Sequence, residues 1–399
     1  MKIVQINSVC GKGSTGKICV AVSEILSRKG IKNYILYSRL TSDYPHAIKY
    51  EEEHYAKFQA LREKVFGTCG FEAKAATRKL ISHLDEINPD IVHLHVLHSH
   101  DCHLTMLFDY LRQKQIKVFW TFHDCWAITA YCPYFDMIGC QKWKTGCSNC
   151  PSWRRFSWFI DRSSELYSRK KAMVEGIDLT IITPSEWMAS VVKESFMKEY
   201  PIKVINNGID LNIFKPIEHH NAELNSMKNL CSSTNKKILL GVADVWSERK
   251  GLEDFFRLKD LLGREYMIVL VGVTEDIQKK LPQGIIGINR TRNQIELAHI
   301  YAAADIFVNP TYEDNYPTTN LEAMACGTPV ITYRTGGSPE SITPETGCVV
   351  DKGDVGAVAN MILCTGYKDR DKMRKECRER AVEYFDINRC FENYIRLYL

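Results

Sequence analysis

The chain has no run of about 18 consecutive apolar residues, so no part of it reads as a membrane-spanning helix. Charge of one sign is not in excess either. Fifty-two Lys and Arg against 48 Asp and Glu leave a net charge of +4, which permits attraction to anionic lipid or phosphate but makes no case for nucleic acid. An export signal is missing from the start, MKIVQINS, which reads as a strand followed by polar residues. Cysteine, in contrast, is plentiful. Fifteen thiols, an odd number in a large chain with no export signal, are expected to be reduced in a cytosol. With 399 residues, 45% of them hydrophobic and 25% charged, the composition is that of a soluble globular protein of two domains.

The most informative stretch runs from Asp305 to Glu340. Two short apolar runs, Ile306 to Val308 and Val330 to Tyr333, are bounded by Pro or Gly as buried strands are. Between them the pattern predicts a helix, with Thr318 and Thr319 as caps, Leu321, Ala323, Met324 and Ala325 as its buried face, and Gly327 and Pro329 as its stop. A right-handed crossover makes the strands parallel and places the polar loop 310–319 at the carboxyl edge of a sheet, where α/β proteins bind ligands. The backbone at Thr318 and Thr319 is then a cradle for a diphosphate, and Glu322, one turn inside, is placed to accept two ribose hydroxyls. A polar loop closing an ordinary αβ unit would show the same periodicity.

Glu322, Ala323, Gly327, Thr328, Pro329, Val330, Gly336, Gly337 and Glu340 together resemble the donor-site signature of retaining GT-B glycosyltransferases, specifically family 4, of a bacterial surface-polysaccharide type. That family carries two acidic residues eight positions apart; here they are Asp314, beside Glu313, and Glu322, with Asp in place of the usual first Glu. The resemblance implies an α/β fold, GT-B, of two Rossmann-like domains with parallel sheets facing an interdomain cleft. The expected boundaries are 1–215 for an acceptor-side domain, 216–236 for a linker, 237–383 for the nucleotide-sugar domain, and 384–399 for a helix returning to the first domain.

Further candidates lie along the chain. Gly11, Gly16 and Lys17 satisfy most of a P-loop pattern, but Ile18 stands where Ser or Thr is needed for magnesium. In the family, such a glycine-rich turn approaches the donor, which makes Gly13, Ser14 and Thr15 donor contacts. The strand ending His93-Leu94-His95 is followed by His98, His100 and His103, read as histidines lining a cleft rather than a metal centre. His123, at the end of the strand Val118 to Phe122, matches a family histidine beside the donor sugar and acceptor; a structural histidine satisfied by Asp124 would look the same. Cys132, Cys140, Cys147 and Cys150, in an insertion over 125–151, have the composition of a closed structural zinc site, with buried free thiols or two disulfides as the other readings. Trp153 to Ile160 interleaves aromatics with arginines, which suits either a membrane interface or the domain's own core.

In the second half, Arg249 and Lys250 precede a helix starting near Gly251 and would neutralise a leaving diphosphate; the Gly-Arg that many relatives carry after this strand is absent. Asn315, Tyr316 and Pro317 join Thr318, Thr319 and Glu322 as expected donor contacts, and the backbone at Arg290 is expected to meet the nucleobase. The resemblance implies transfer of a hexose-type sugar from a UDP- or GDP-sugar to a lipid-linked polysaccharide acceptor. His123, Arg249, Lys250 and Asp314 are its expected catalytic residues, no cofactor is required, and the place is the cytoplasm or the inner face of the plasma membrane. The rival readings are a P-loop phosphohydrolase and a non-catalytic sugar-nucleotide-binding module.

Overall fold

The computed structural model describes residues 1–217, 236–364 and 370–399, so the expected linker over 216–236 lies almost wholly outside the described residues. The chain forms two compact units: Met1–Asn206 with Phe391–Leu399, and Asn207–Cys390.

In the first unit, seven strands are β1 (Lys2–Asn7), β2 (Lys32–Tyr37), β3 (Ala47–Lys49), β4 (Ile91–Leu94), β5 (Lys117–Thr121), β6 (Leu179–Thr183) and β7 (Ile202–Val204). All pair in parallel, in the order β3-β2-β1-β4-β5-β6-β7. Order reverses between β1 and β4, so the loops after these two strands diverge to opposite faces and leave a crevice. Every residue of β4 is buried, as expected of a parallel strand with helices over both faces.

The second unit repeats the plan with six strands: β8 (Lys237–Val242), β9 (Tyr266–Val271), β10 (Ile285–Ile288), β11 (Ile306–Asn309), β12 (Val330–Tyr333) and β13 (Gly347–Val350). Their order is β10-β9-β8-β11-β12-β13, again parallel throughout, with the reversal between β8 and β11. Two Rossmann-like parallel-sheet units are the GT-B architecture expected from the sequence.

The stretch 305–340 folds as its pattern predicts, β11 and β12 pairing in parallel with Phe307 opposite Val330 and a helix over Thr318–Ala325 between them. Gly327 leaves that helix at φ +78°, its N–H bonding the Met324 carbonyl. The cap differs from expectation. Pro317 holds the N-cap position with no side-chain cap hydrogen bond, and Thr318 is the first helical residue. Proline fixes the entering φ and has no N–H of its own to satisfy, so the threonines are not needed for the turn and the cap residue offers the first-turn amides no side-chain acceptor.

A buried polar network holds this unit together. Asn320 on the helix accepts from Asn309 Nδ2 at 2.8 Å and donates to Ser338 Oγ at 3.0 Å, while Thr332 Oγ1 meets Ser338 Oγ at 2.7 Å and donates to the Asn309 carbonyl at 3.0 Å. Replacing Asn320 with Leu strands the Asn309 amide and takes one donor from the Ser338 hydroxyl, which keeps Thr332. The expected loss is about 2–4 kcal/mol in urea unfolding, with the far-UV spectrum of the folded protein unchanged.

Candidate active site

The second unit brings its strongest candidates together where strand order reverses. After β8 the chain makes a 3₁₀ turn, Glu248–Lys250, and Gly251 then enters a helix, Leu252–Leu261, at φ +71°. A Cβ on Gly251 would lie 2.2 Å from the Pro310 carbonyl oxygen, so only glycine lets this turn approach the loop after β11 so closely. One backbone and one side-chain bond close the junction: Tyr312 N–H donates to the Arg249 carbonyl at 2.8 Å, and Arg249 Nη1 donates to the Glu313 carbonyl at 2.7 Å.

The consequence is an ion pair that sequence separation hides. Lys250 Nζ lies 2.5 Å from Asp314 Oδ2, both side chains largely buried, and Asp314 Oδ1 accepts from the Asn315 N–H at 3.0 Å. The Asp in place of the family's usual Glu is therefore the partner of a cation. Four residues on from the uncapped helix start, Glu322 Oε2 accepts from the buried Tyr301 hydroxyl at 3.1 Å, which fixes the carboxylate's direction.

Not every predicted donor contact faces outward. Thr318, Thr319 and Glu322 are half-buried, whereas the Asn315 and Tyr316 side chains are buried and the Tyr316 carbonyl accepts from Asn207 Nδ2 at 3.0 Å. Those two residues shape the loop from beneath. Arg290 is exposed and pairs with Asp244 at 2.7 Å, beside the loop that follows β8.

In the first unit Gly13, Ser14 and Thr15 form the first turn of a helix, Gly13–Arg28, whose Lys12 cap makes no side-chain cap bond; Gly13 and Ser14 are exposed. Ile18 is buried in the core, so the position a P-loop gives to a magnesium-binding hydroxyl serves packing instead. The histidines form a chain of rings that the sequence shows only in part. His93 Nδ1 meets the Tyr398 hydroxyl at 2.6 Å and its Nε2 meets Thr121 Oγ1 at 2.8 Å. His95 bridges Gln5 Oε1 at 3.2 Å and His123 Nε2 at 3.1 Å. Asp124 bonds His98 Nε2 at 2.8 Å, so the carboxylate next to His123 in sequence is spent on a different ring. Burial lowers His93 to about 3 and His123 to about 4, whereas His98, though buried, is raised by the Asp124 charge and hydrogen bond. His123 thus stands neutral at physiological pH, able to donate or accept a hydrogen bond. Tyr398, near the chain's last residue, was the partner that sequence spacing gave no means of finding.

Among the described residues, no group of three or more His, Cys, Asp or Glu side chains is arranged to hold a metal ion. Cys132, Cys140, Cys147 and Cys150 nevertheless line one small cavity of about 20 Å³, together with Phe135, Lys142 and Trp143. All four are free thiols, which removes the disulfide reading. A hydrogen bond from Cys132 lowers the Cys150 thiol to about 7. The aromatic stretch after them divides: Trp153 and Phe156 pack against the core, while Trp158, Phe159 and Ile160 are exposed. No helix among the described residues is long and apolar enough to cross a membrane.

Comparison with known proteins decides the family. Residues 16–213 match the model described as Glycosyltransferase Family 4, and residues 236–365 match Glycosyl transferases group 1. This chain is a glycosyltransferase of the family 4 kind. It transfers a sugar from a nucleotide-diphosphate donor. WcaC of Escherichia coli K12, a glycosyl transferase named for colanic acid biosynthesis, is 23% identical over 377 residues, covering 89% of this chain and 88% of WcaC. Among solved structures, sucrose-phosphate synthase from Thermosynechococcus elongatus superposes with a TM-score of 0.73 at 18% identity, over 100% of this chain and 98% of that one. HepE of Anabaena, in complex with UDP-glucose, gives 0.69 at 14% identity, over 100% and 99%. At such identities these two likenesses speak for the fold of the glycosyltransferase.

The buried histidines of this glycosyltransferase carry a pH signature. An unfolded histidine titrates near 6.5, and His93 in the fold titrates near 3, so between these values the unfolded chain binds the extra proton. The contribution of His93 to stability is complete well above pH 6.5 and is lost as the pH falls from there toward 3. At pH 5 His93 alone should cost about 2 kcal/mol relative to pH 7.5, read from urea midpoints, and His93→Gln should flatten that slope.

Proposed function

We propose that the chain is a retaining hexosyltransferase that elongates a lipid-linked polysaccharide acceptor from a UDP- or GDP-sugar, in the synthesis of a bacterial surface polysaccharide. The observation that carries the reading is the Lys250–Asp314 pair set beside the uncapped start of helix Thr318–Ala325. Breaking the donor's anomeric bond builds negative charge on the β-phosphate and positive character on the sugar. Amides of the helix start and the cations Arg249 and Lys250 stabilise the first; donor phosphate would draw Lys250 from Asp314, leaving that carboxylate beside the sugar. Glu322 takes the ribose hydroxyls. Gly13, Ser14 and Thr15 approach the donor, Arg290 the base, and neutral His123 hydrogen-bonds sugar hydroxyls. Attack from the side of the departing diphosphate, whose oxygen takes the acceptor proton, retains configuration and needs no protein nucleophile. Kinship with WcaC supports the polysaccharide acceptor. The exposed Trp158, Phe159 and Ile160, close in sequence to Arg154 and Arg155, support a peripheral place on the inner membrane face.

Thermal-shift screening of UDP-, GDP- and ADP-sugars, followed by a sugar-release assay, tests the donor assignment. One nucleotide series should raise the melting temperature and turn over slowly without acceptor. Lys250→Ala should fold normally and lower kcat by about 10²–10³. Stabilisation by ATP with magnesium and by none of the sugar donors would instead revive the phosphohydrolase reading.

For the thiol loop we propose one structural zinc on Cys132, Cys140, Cys147 and Cys150, supported by the cavity they share. Metal analysis of protein purified without added zinc should find about one zinc per chain. A folded, metal-free protein refutes it.

A further inference from the structure

The first unit contains a polar cavity apart from the residues assigned to the donor site and from the thiol loop. It measures about 440 Å³ and is lined by Gln59 and Arg62 from helix Glu53–Phe66, Lys74 and Arg78 from helix Lys74–Ile87, Arg169 from helix Ser163–Val174, and Glu72. Four permanent cations face one carboxylate, and that carboxylate is already engaged: Glu72 accepts from Thr68 Oγ1 at 2.8 Å and pairs with Arg62 at 2.9 Å. Arg169 is held in place, its guanidinium 3.8 Å from the centroid of the Phe71 ring. His103, also in the wall, is kept toward its neutral form by burial and then by the Arg169 charge, which reports the sign of the field inside.

Two further features point to what fits there. Helix Lys74–Ile87 begins at the cavity, and its Ala73 cap makes no side-chain bond, nor does its first turn hold an acidic residue. Its amide dipoles add to the positive field. Gln59 is 2% exposed, yet its Oε1 has no hydrogen-bond partner, which leaves a buried acceptor in the wall of a cationic cavity. A fully ionised anion such as sulfate would answer the cations but offer no proton to that oxygen. A phosphate ester that also bears hydroxyls answers both, and the volume suits a ligand larger than a single phosphate.

We propose that this cavity binds the phosphate or diphosphate of a glycosylated ester, its charge on Lys74, Arg78 and Arg169 and a sugar hydroxyl donating to Gln59 Oε1. The proposal stands on this cavity alone and does not rest on the donor-side reading. The ester is either free in solution or the headgroup of a lipid. Exposed Phe58 and Leu61, on the same helix as Gln59 and Arg62, make an apolar margin that suits the second source.

The test is calorimetric titration of the full chain with glucose 1-phosphate and with pyrophosphate, both with the donor site saturated by the nucleoside diphosphate that stabilises it most. Lys74 and Arg78 are exposed helix-surface residues, so Lys74→Ala with Arg78→Ala should fold with an unchanged melting temperature. The double variant should weaken both ligands at least about tenfold and leave nucleoside diphosphate affinity unchanged. Gln59→Leu should weaken glucose 1-phosphate more than pyrophosphate. No binding to the wild type, or equal binding to the double variant, overturns the proposal. Flotation with phosphatidylcholine vesicles, with and without a polyprenyl phosphate, separates the sources. Phosphate-dependent flotation lost in the double variant assigns the lipid headgroup, and calorimetric binding without it assigns the free ester.

Discussion

The chemistry of the second unit depends on one close approach. Gly251 passes so near Pro310 that a single methyl group would collide with the carbonyl, and this contact carries Lys250 to Asp314 and Arg249 to the Glu313 carbonyl. The two segments meet because they follow β8 and β11, neighbouring strands at the point where strand order reverses. A parallel sheet leaves such a crevice wherever it winds in opposite senses, and here charge is placed in it. The buried Asn309–Asn320–Ser338–Thr332 network holds the other side of the loop, so the helix start and the ion pair are fixed by separate sets of bonds.

The first unit uses the same topology differently. Its strand ends deliver histidines rather than cations, and burial keeps His93 and His123 neutral while His98, also buried, is raised by the Asp124 carboxylate. Neutral rings suit the positioning of sugar hydroxyls, whereas fixed cations suit the stabilisation of a leaving phosphate. The two units thus differ electrostatically in which side chains each sheet carries at its carboxyl edge. Positive charge in the first unit is concentrated elsewhere, around Lys74, Arg78 and Arg169, in a cavity formed by helices.

Much of this was legible in the chain. The strand–helix–strand pattern of 305–340 needed only periodicity, Gly327 and Pro329, because buried parallel strands are short apolar runs and glycine ends helices. The two-domain α/β architecture followed from the same repeated pattern and from the family resemblance. Less was legible where two solutions to a local problem exist. Thr318 and Thr319 were sensible caps, but the preceding proline had already set the helix entry. Asp124 was a sensible partner for His123, but a neighbour in sequence points elsewhere when the backbone turns between them, and His98 took the carboxylate.

The sequence by itself singled out the candidates: the paired acids Asp314 and Glu322, the cations Arg249 and Lys250, the histidines, and the four thiols of one loop. Residue type fixes charge, ligand preference and local backbone, all of which act over a few positions. Only the tertiary structure decided who meets whom. Lys250 reaches Asp314 across 64 positions and Tyr398 reaches His93 across 305, because strand order, which no local pattern encodes, makes neighbours of segments distant in the chain. The same holds for the cationic cavity, whose charges come from three helices that look in sequence like ordinary solvated surface.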